Sequence, residues 1–146
     1  MTYKVMATVE HEFTEQEIWY QIVGAFEGGS NYWIESVDEQ TPKDYKRIKP
    51  SEMPWMAMKD IEYHTETKTY AYTSQLPVLG GSFTIQEMDG YNHNPNPINH
   101  ETIKAGLAIM AEKAPKHFHD MIEETGDAIT SDVFLQMCAF GEIIYG

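Results

Sequence analysis

The chain has little that would reveal its chemistry from composition alone: one cysteine, one arginine and no long apolar run. A single cysteine, Cys138, excludes an intrachain disulfide and is typical of a reducing compartment. No apolar stretch approaches the roughly 20 residues that span a bilayer. The N-terminus lacks the basic and apolar segments of a signal peptide. We therefore expect no membrane association and a cytoplasmic location, in the host cytoplasm if the protein is viral.

Basic residues are also scarce, because ten Lys and Arg face 23 Asp and Glu and give a formal net charge of −13. Such a surface repels duplex nucleic acid, whose binding relies on neutralising phosphates. Direct binding to a duplex is therefore disfavoured. The acidity either serves solubility or is itself functional, as in proteins that mimic nucleic acid to occupy a basic groove.

What is present indicates one globular domain over residues 1–146. Apolar residues make up 42% and aromatic residues 12% of the chain, which excludes disorder. The clearest element is an N-terminal helix that begins after a capping box of Thr14 and Glu17. Gly28 and Gly29 are expected to end it by adopting positive φ. Its apolar residues recur at helical spacing: Ile18, Trp19, Ile22, Val23 and Phe26.

The remaining pattern predicts an α+β fold, a small antiparallel or mixed sheet with an N-terminal helix and a C-terminal cluster of about three helices. The strands are expected at 3–9 and 32–37, with a strand pair near 61–73 and 81–88 and a closing strand at 142–145. Residues 38–60 form a proline-containing excursion. The C-terminal helices start at Asn99, at Pro115 and at Thr130 or Ser131.

The last helix, over 133–140, is apolar nearly all round. A helix of this kind is buried or lies in a subunit interface. We therefore expect a homo-oligomer.

The most distinctive string begins at the two glycines, where backbone amides beside aromatic rings are suited to an anion and a stacked planar group. The alternative is a helix stop followed by a strand whose aromatics enter the core. The string has no P-loop or dinucleotide-binding pattern. Its candidate ligand-binding residues are Gly28, Gly29, Ser30, Asn31, Tyr32 and Trp33.

A second candidate site is a basic segment, which holds four of the ten basic residues of an acidic chain. Such a local positive patch either pairs with the protein's own carboxylates or contacts an anionic ligand. The candidate residues are Lys43, Lys46, Arg47 and Lys49, with the aromatic Tyr45 and Trp55.

Catalytic and metal motifs are not recognisable. Cys138 lies in an apolar helix, where a thiolate is disfavoured. His119 and Glu123 are spaced to share a cation on one helix face, with His117 close by, but the default interpretation is a solvated polar face. We assign no catalytic residue, no metal ligand and no cofactor.

Several strings resemble a family of small uncharacterised proteins associated with tailed-phage and prophage genomes. They are Glu27–Trp33, Leu79–Phe83, Asp127–Gln136 and Phe140–Gly146. The resemblance implies a viral origin and an accessory role inside a bacterial host, and it carries over no catalytic residue.

Together these features favour a non-enzymatic phage accessory protein with a counter-defence role. The most specific version of this hypothesis is a sponge, meaning a protein that binds and sequesters a small nucleotide signal. Its partner is then a small anionic ligand. One alternative is an acidic inhibitor that binds a host defence protein, such as a nuclease or CRISPR effector, as a nucleic-acid mimic. Another is a metal-dependent enzyme that uses His117 and His119.

Overall fold

The structure, a computed structural model, describes residues 2–4 and 10–146, without the side chains of Met58 and Lys59. Residues 2–4 and 10–14 have no regular secondary structure. The strand predicted over 3–9 falls largely on 5–9, outside the described residues.

The architecture is α+β, as the sequence predicted. The helices are α1 (Glu15–Gly24), α2 (Ile61–Thr67), α3 (His100–Lys113), α4 (Pro115–Glu123) and α5 (Ala128–Phe140). The strands are β1 (Ile34–Gln40), β2 (Lys46–Arg47), β3 (Thr69–Tyr70) and β4 (Ser82–Glu87).

Helix α5 is the centre of the fold, since residues 130–139 are all buried and α1, α3 and α4 pack against it. A Cβ atom at Gly106 of α3 would lie 2.6 Å from the Cys138 sulfur, so only glycine permits this approach. The apolar character of α5 is thus accounted for by burial within one chain, and homo-oligomerisation stays a prediction. The predicted cap at Thr130 or Ser131 is wrong, because Asp127 caps α5 through the backbone N–H groups of Ile129 and Thr130.

The start of α1 is as predicted, with the Thr14 hydroxyl accepting from the Glu17 N–H at 3.1 Å. Its predicted end at the two glycines is confirmed, because the helix continues as a wider turn over Ala25–Gly29 and Ser30 follows as its cap. The expected cause is wrong, because neither Gly28 nor Gly29 adopts the left-handed conformation. Gly29 serves close packing instead. A Cβ atom there would lie 2.3 Å from the carbonyl oxygen of Ala128 at the start of α5.

The main sheet has two antiparallel strands, β1 and β4, which pair from Ile34 opposite Glu87 to Gln40 opposite Ser82, with a register shift between Ile34 and Ser36. Strands β2 and β3 form a separate parallel pair. The predicted pairing of 61–73 with 81–88 is therefore wrong. Residues 61–67 form α2 instead, because the Asp60 carboxylate caps them by accepting from the Glu62 N–H at 2.9 Å.

The C-terminal segment, residues 141–146, is not the predicted closing strand. The Gln136 side chain holds it, since its Oε1 accepts from the backbone N–H groups of Ile144 at 2.8 Å and Tyr145 at 2.9 Å. The Tyr145 hydroxyl donates to the carboxylate of Glu87 on β4. A side chain therefore replaces a strand partner here.

The excursion between β1 and α2 contains β2 and two short 3₁₀ turns, Pro50–Glu52 and Trp55–Lys59. It covers a small apolar cluster of Met53, Ala57 and Ala71 that is separate from the main core. None of the described helices has both the length and the apolar character needed to cross a membrane.

Candidate functional site

A groove of about 500 Å³ opens between α1, β1 and the 3₁₀ segment over Thr73–Leu79. It lies within the usual volume range of small-ligand sites. Its walls are mostly apolar or aromatic, because one face of α1 and one residue of β1 point into it. The wall residues are Trp19, Tyr20, Val23, Phe26, Val37 and Tyr72.

The polar edge of the groove is built on Glu39, the carboxylate near the end of β1. It accepts hydrogen bonds from Arg47 of β2, from the Thr73 hydroxyl at 2.5 Å and from the Tyr70 hydroxyl at 2.9 Å. Arg47 and Thr73 line the groove. The Arg47 guanidinium also lies 5.4 Å from the Tyr70 ring centroid and donates to the carbonyl oxygen of Ala71 at 3.4 Å.

These contacts fix the charge state of the pair. Burial alone would raise the pKa of Glu39, but hydrogen bonds from Thr73, Arg47 and Tyr70 outweigh it and hold that pKa below its usual value. The bond to Glu39 raises the pKa of Arg47 in turn. Both groups are therefore ionised at neutral pH, and Arg47 is held in place while half of its side chain stays exposed.

The floor of the groove has one further polar contact. The Trp19 indole N–H donates to the Ser74 hydroxyl oxygen at 3.0 Å, and both residues are buried. Because that oxygen acts as the acceptor and Ser74 lines the groove, its O–H remains available as a donor. Glu27 supplies a further carboxylate to the lining.

The basic segment predicted from the sequence is only partly brought to this groove. Among the described residues that line it, Arg47 is the sole member of the segment, and Lys43, Lys46 and Lys49 are exposed elsewhere. Tyr45 is half-buried with the Lys68 ammonium 5.4 Å from its ring. Trp55 is 78% exposed and also lies outside the groove lining.

The string of glycines and aromatics lies elsewhere, around Asp132 of α5. One carboxylate oxygen accepts from the Ser30 hydroxyl at 2.7 Å and the Trp33 indole at 2.9 Å. The other accepts from the Tyr32 hydroxyl at 2.7 Å and the Gln136 amide at 3.1 Å. Four donors use the full capacity of a carboxylate. Ser30 and Trp33 are thereby buried parts of the fold.

Gly28, Gly29 and Tyr32 nevertheless line a second cleft of about 460 Å³, beside α5 and the C-terminal segment. Asn31 is exposed. Burial and the contact with Asp132 raise the pKa of Tyr32 to about 12, so its hydroxyl stays protonated.

The residues proposed for a metal-dependent enzyme are not arranged as a site. The His117 Nδ1 atom lies 3.1 Å from the Thr130 hydroxyl, and His119 is exposed on α4. In the part of the chain that the structure describes, no three His, Cys, Asp or Glu residues are grouped to hold a metal ion. Burial raises the pKa of Cys138, which keeps the thiol protonated.

Of the described residues that line the groove, only Arg47 was predicted from the sequence as a site residue. Trp19, Val23 and Phe26 carried a signal, their helical spacing, which predicted a core-facing helix and not the wall of a site. Comparison with protein families, with curated proteins and with solved structures found no match to this chain. The resemblance to phage proteins therefore stays an expectation.

Proposed function

We propose that the protein binds and sequesters a small planar ligand bearing one anionic group, with the planar part in the groove and the anion at Arg47. A nucleotide with a single phosphate is the ligand class that fits best. The observation that carries the proposal is the position of the chain's only arginine in the lining of a groove with aromatic walls.

The aromatic walls support a planar ligand. Tyr20 is 49% exposed on α1 and offers part of its ring to solvent, and Tyr72 belongs to the same lining. Offset stacking on such rings adds about 0.5–1.5 kcal/mol to the burial of apolar area. A purine or pyrimidine base gains from both terms.

The polar edge supports an anion. Arg47 has five N–H donors and, toward the described residues, donates to Glu39 and to the Ala71 carbonyl, which leaves donors for a phosphate or carboxylate. The Ser74 hydroxyl adds a neutral donor nearby. Because Glu39 holds the guanidinium, little side-chain entropy is lost when the ligand binds.

The charges limit how many anionic groups are accommodated. Glu39 already neutralises Arg47, and Glu27 adds a further carboxylate to the lining. The three lysines of the basic segment lie outside the described lining. A single phosphate therefore suits the groove better than a di- or triphosphate, which would meet uncompensated repulsion.

The accessory role in a bacterial host, with counter-defence by removal of a nucleotide signal, is the biological setting of this proposal. It rests on the resemblance to phage proteins and on the binding groove together. The alternative of an acidic inhibitor makes no use of the groove, so ligand binding distinguishes the two.

The experiment is a thermal-shift panel of nucleoside monophosphates, cyclic dinucleotides, ADP-ribose and nucleosides, followed by calorimetric Kd measurement. We expect the best ligand to raise the Tm of the protein. Arg47→Gln should weaken the affinity for that ligand by about tenfold or more, because a hydrogen bond to a charged group contributes about 1.5–3 kcal/mol. Lys46→Gln, its exposed neighbour in β2, is the matched control and should change Kd by less than about threefold. A flat response across the panel would remove the proposal.

A further inference from the structure

The second cleft differs from the groove in its rim, which is apolar and exposed. Tyr32 is 50% exposed, Ile129 63% and Ile143 48%, and all three line this one cleft. They are three of the eight large hydrophobic side chains exposed in the described residues. Exposed apolar residues concentrated at one concavity mark an interaction surface, whereas scattered ones do not.

The charge inside this cleft is negative. Among the described lining residues Asp132 is the one carboxylate, the lining contains no Lys or Arg, and His117 has its Nδ1 atom at Thr130. Asp132 is only 7% exposed, so its charge lies in a region of low dielectric where it acts over a longer distance than at the surface. The formal net charge of −13 adds to this potential.

Tyr32 connects the buried charge to the opening of the cleft. Its hydroxyl donates to Asp132 at 2.7 Å and is thereby polarised, which strengthens the phenolic oxygen as an acceptor for a ligand. Its half-exposed ring adds a face that attracts a cation. The side chain therefore offers a cationic donor two favourable contacts without displacing any of the four bonds to Asp132.

We propose that this cleft binds an arginine or lysine side chain of a partner protein, with an apolar neighbour of that side chain packed on Ile129 and Ile143. The cationic group lies over Tyr32 and above Asp132. A guanidinium or ammonium is favoured over a neutral group by the net charge and by the composition of the lining. This site is separate from the groove at Arg47 and does not depend on a ligand there.

The site gives the acidic-inhibitor hypothesis a specific docking point. A partner that binds nucleic acid has a basic surface, and a chain with a net charge of −13 attracts such a surface at long range. Long-range attraction alone selects no orientation. A cleft that takes one cationic side chain with its apolar neighbour does select one.

The probe is a fluorescein-labelled peptide of alternating Leu and Arg, compared with the same peptide in which uncharged citrulline replaces every Arg. We expect fluorescence polarisation to show binding of the arginine peptide, and the citrulline peptide to bind about tenfold more weakly or worse. Ile129→Lys places a positive charge at the rim without entering the core, and it should reduce the affinity by a similar factor. Tyr91→Lys is the matched control, since Tyr91 is 61% exposed, lies outside the cleft lining and gives the same net charge.

Four results would each overturn the proposal. They are no binding of the arginine peptide, equal binding of both peptides, no effect of Ile129→Lys, and equal losses for Ile129→Lys and Tyr91→Lys. Equal losses for the two variants would mean that peptide binding depends on the net charge of the protein alone. Because Ile129 is exposed, a fold defect in its variant is not expected, and circular dichroism of the three proteins checks this point.

Discussion

Two carboxylates, Asp132 and Glu39, each organise a network of hydrogen bonds, and the networks differ in what they leave available. Asp132 is buried and takes four donors, which uses its full capacity. Glu39 takes three donors at the edge of a groove, and one of them, Arg47, keeps free N–H groups at half exposure. A saturated network mainly stabilises the fold and has no donor left for an anion, whereas a network with unused donors beside a cavity is suited to an anionic ligand.

The largest effect should come from breaking the saturated network. Asp132→Ala leaves the donors of Ser30, Tyr32, Trp33 and Gln136 without their acceptor, and we expect a loss of about 3–5 kcal/mol in the free energy of unfolding. Urea denaturation measures it. Asp44→Ala is the control, because the Asp44 carboxylate is exposed and lies 3.6 Å from the Lys68 ammonium. Removing this exposed ion pair should lower the free energy of unfolding by less than about 1 kcal/mol. A loss below about 1 kcal/mol for Asp132→Ala as well would contradict a structural role.

The packing around α5 predicts the next largest effect. Gly106→Ala places a methyl group within 3 Å of both the Cys138 sulfur and its Cα, and we expect a loss of about 2 kcal/mol in stability. Ala105→Val, on the exposed face of the same helix, should cost less than about 1 kcal/mol. Similar losses for the two variants, compared by thermal or urea unfolding, would mean that α3 and α5 are not closely packed.

The hydrogen bonds around Glu39 and Arg47 should matter little for stability and more for ligand binding. Arg47→Gln removes an ion pair that is half-exposed, so we expect its unfolding free energy to stay within about 1 kcal/mol of the unchanged protein. Its effect should appear in ligand affinity. If urea denaturation instead shows a loss as large as that of Asp132→Ala, the two networks are alike and the contrast between them fails.

The smallest effect near neutral pH is expected at His64, which is fully buried on α2 beside the groove-lining segment. Burial lowers its pKa in the folded protein, so below about pH 6.5 the unfolded chain binds more protons and stability falls as pH decreases. His64→Gln should remove the loss that begins below about pH 6.5 in urea titrations. The loss at lower pH should persist, because the lowered pKa values of Glu39 and Glu87 act there. An unchanged profile would contradict this assignment.

Local signals allowed part of the fold to be predicted. The capping box at Thr14, the cap at Asn99 and the proline that opens α4 were read correctly because each acts within a few residues. Residues 61–67 include Ile61, Tyr63, Thr65 and Thr67, which favour a strand, and the cap at Asp60 outweighs that preference and starts a helix. The role of Gly29 depends on Ala128, about a hundred residues away, which no local pattern reveals.

The candidate site was harder to predict than the fold. Arg47 was singled out by charge, but its partners Glu39 and Tyr70 and the wall residue Trp19 are brought to it by tertiary packing. The string of glycines and aromatics divides between two places, since Gly28, Gly29 and Tyr32 line the second cleft while Ser30 and Trp33 are buried. Ser30 and Trp33 are unusual in sequence because Asp132 and the approach of Gly29 to α5 constrain them.

Two tryptophan indoles, one in the lining of the groove and one in the Asp132 network, give the most direct test. Trp19 donates to Ser74 in the groove, and Trp33 donates to Asp132 in the centre, so their N–H resonances report the two regions separately in a two-dimensional NMR titration. With a nucleoside monophosphate that binds, the account predicts that the Trp19 signal shifts in proportion to saturation while the Trp33 signal stays in place. A shift of Trp33 without one of Trp19 would contradict it.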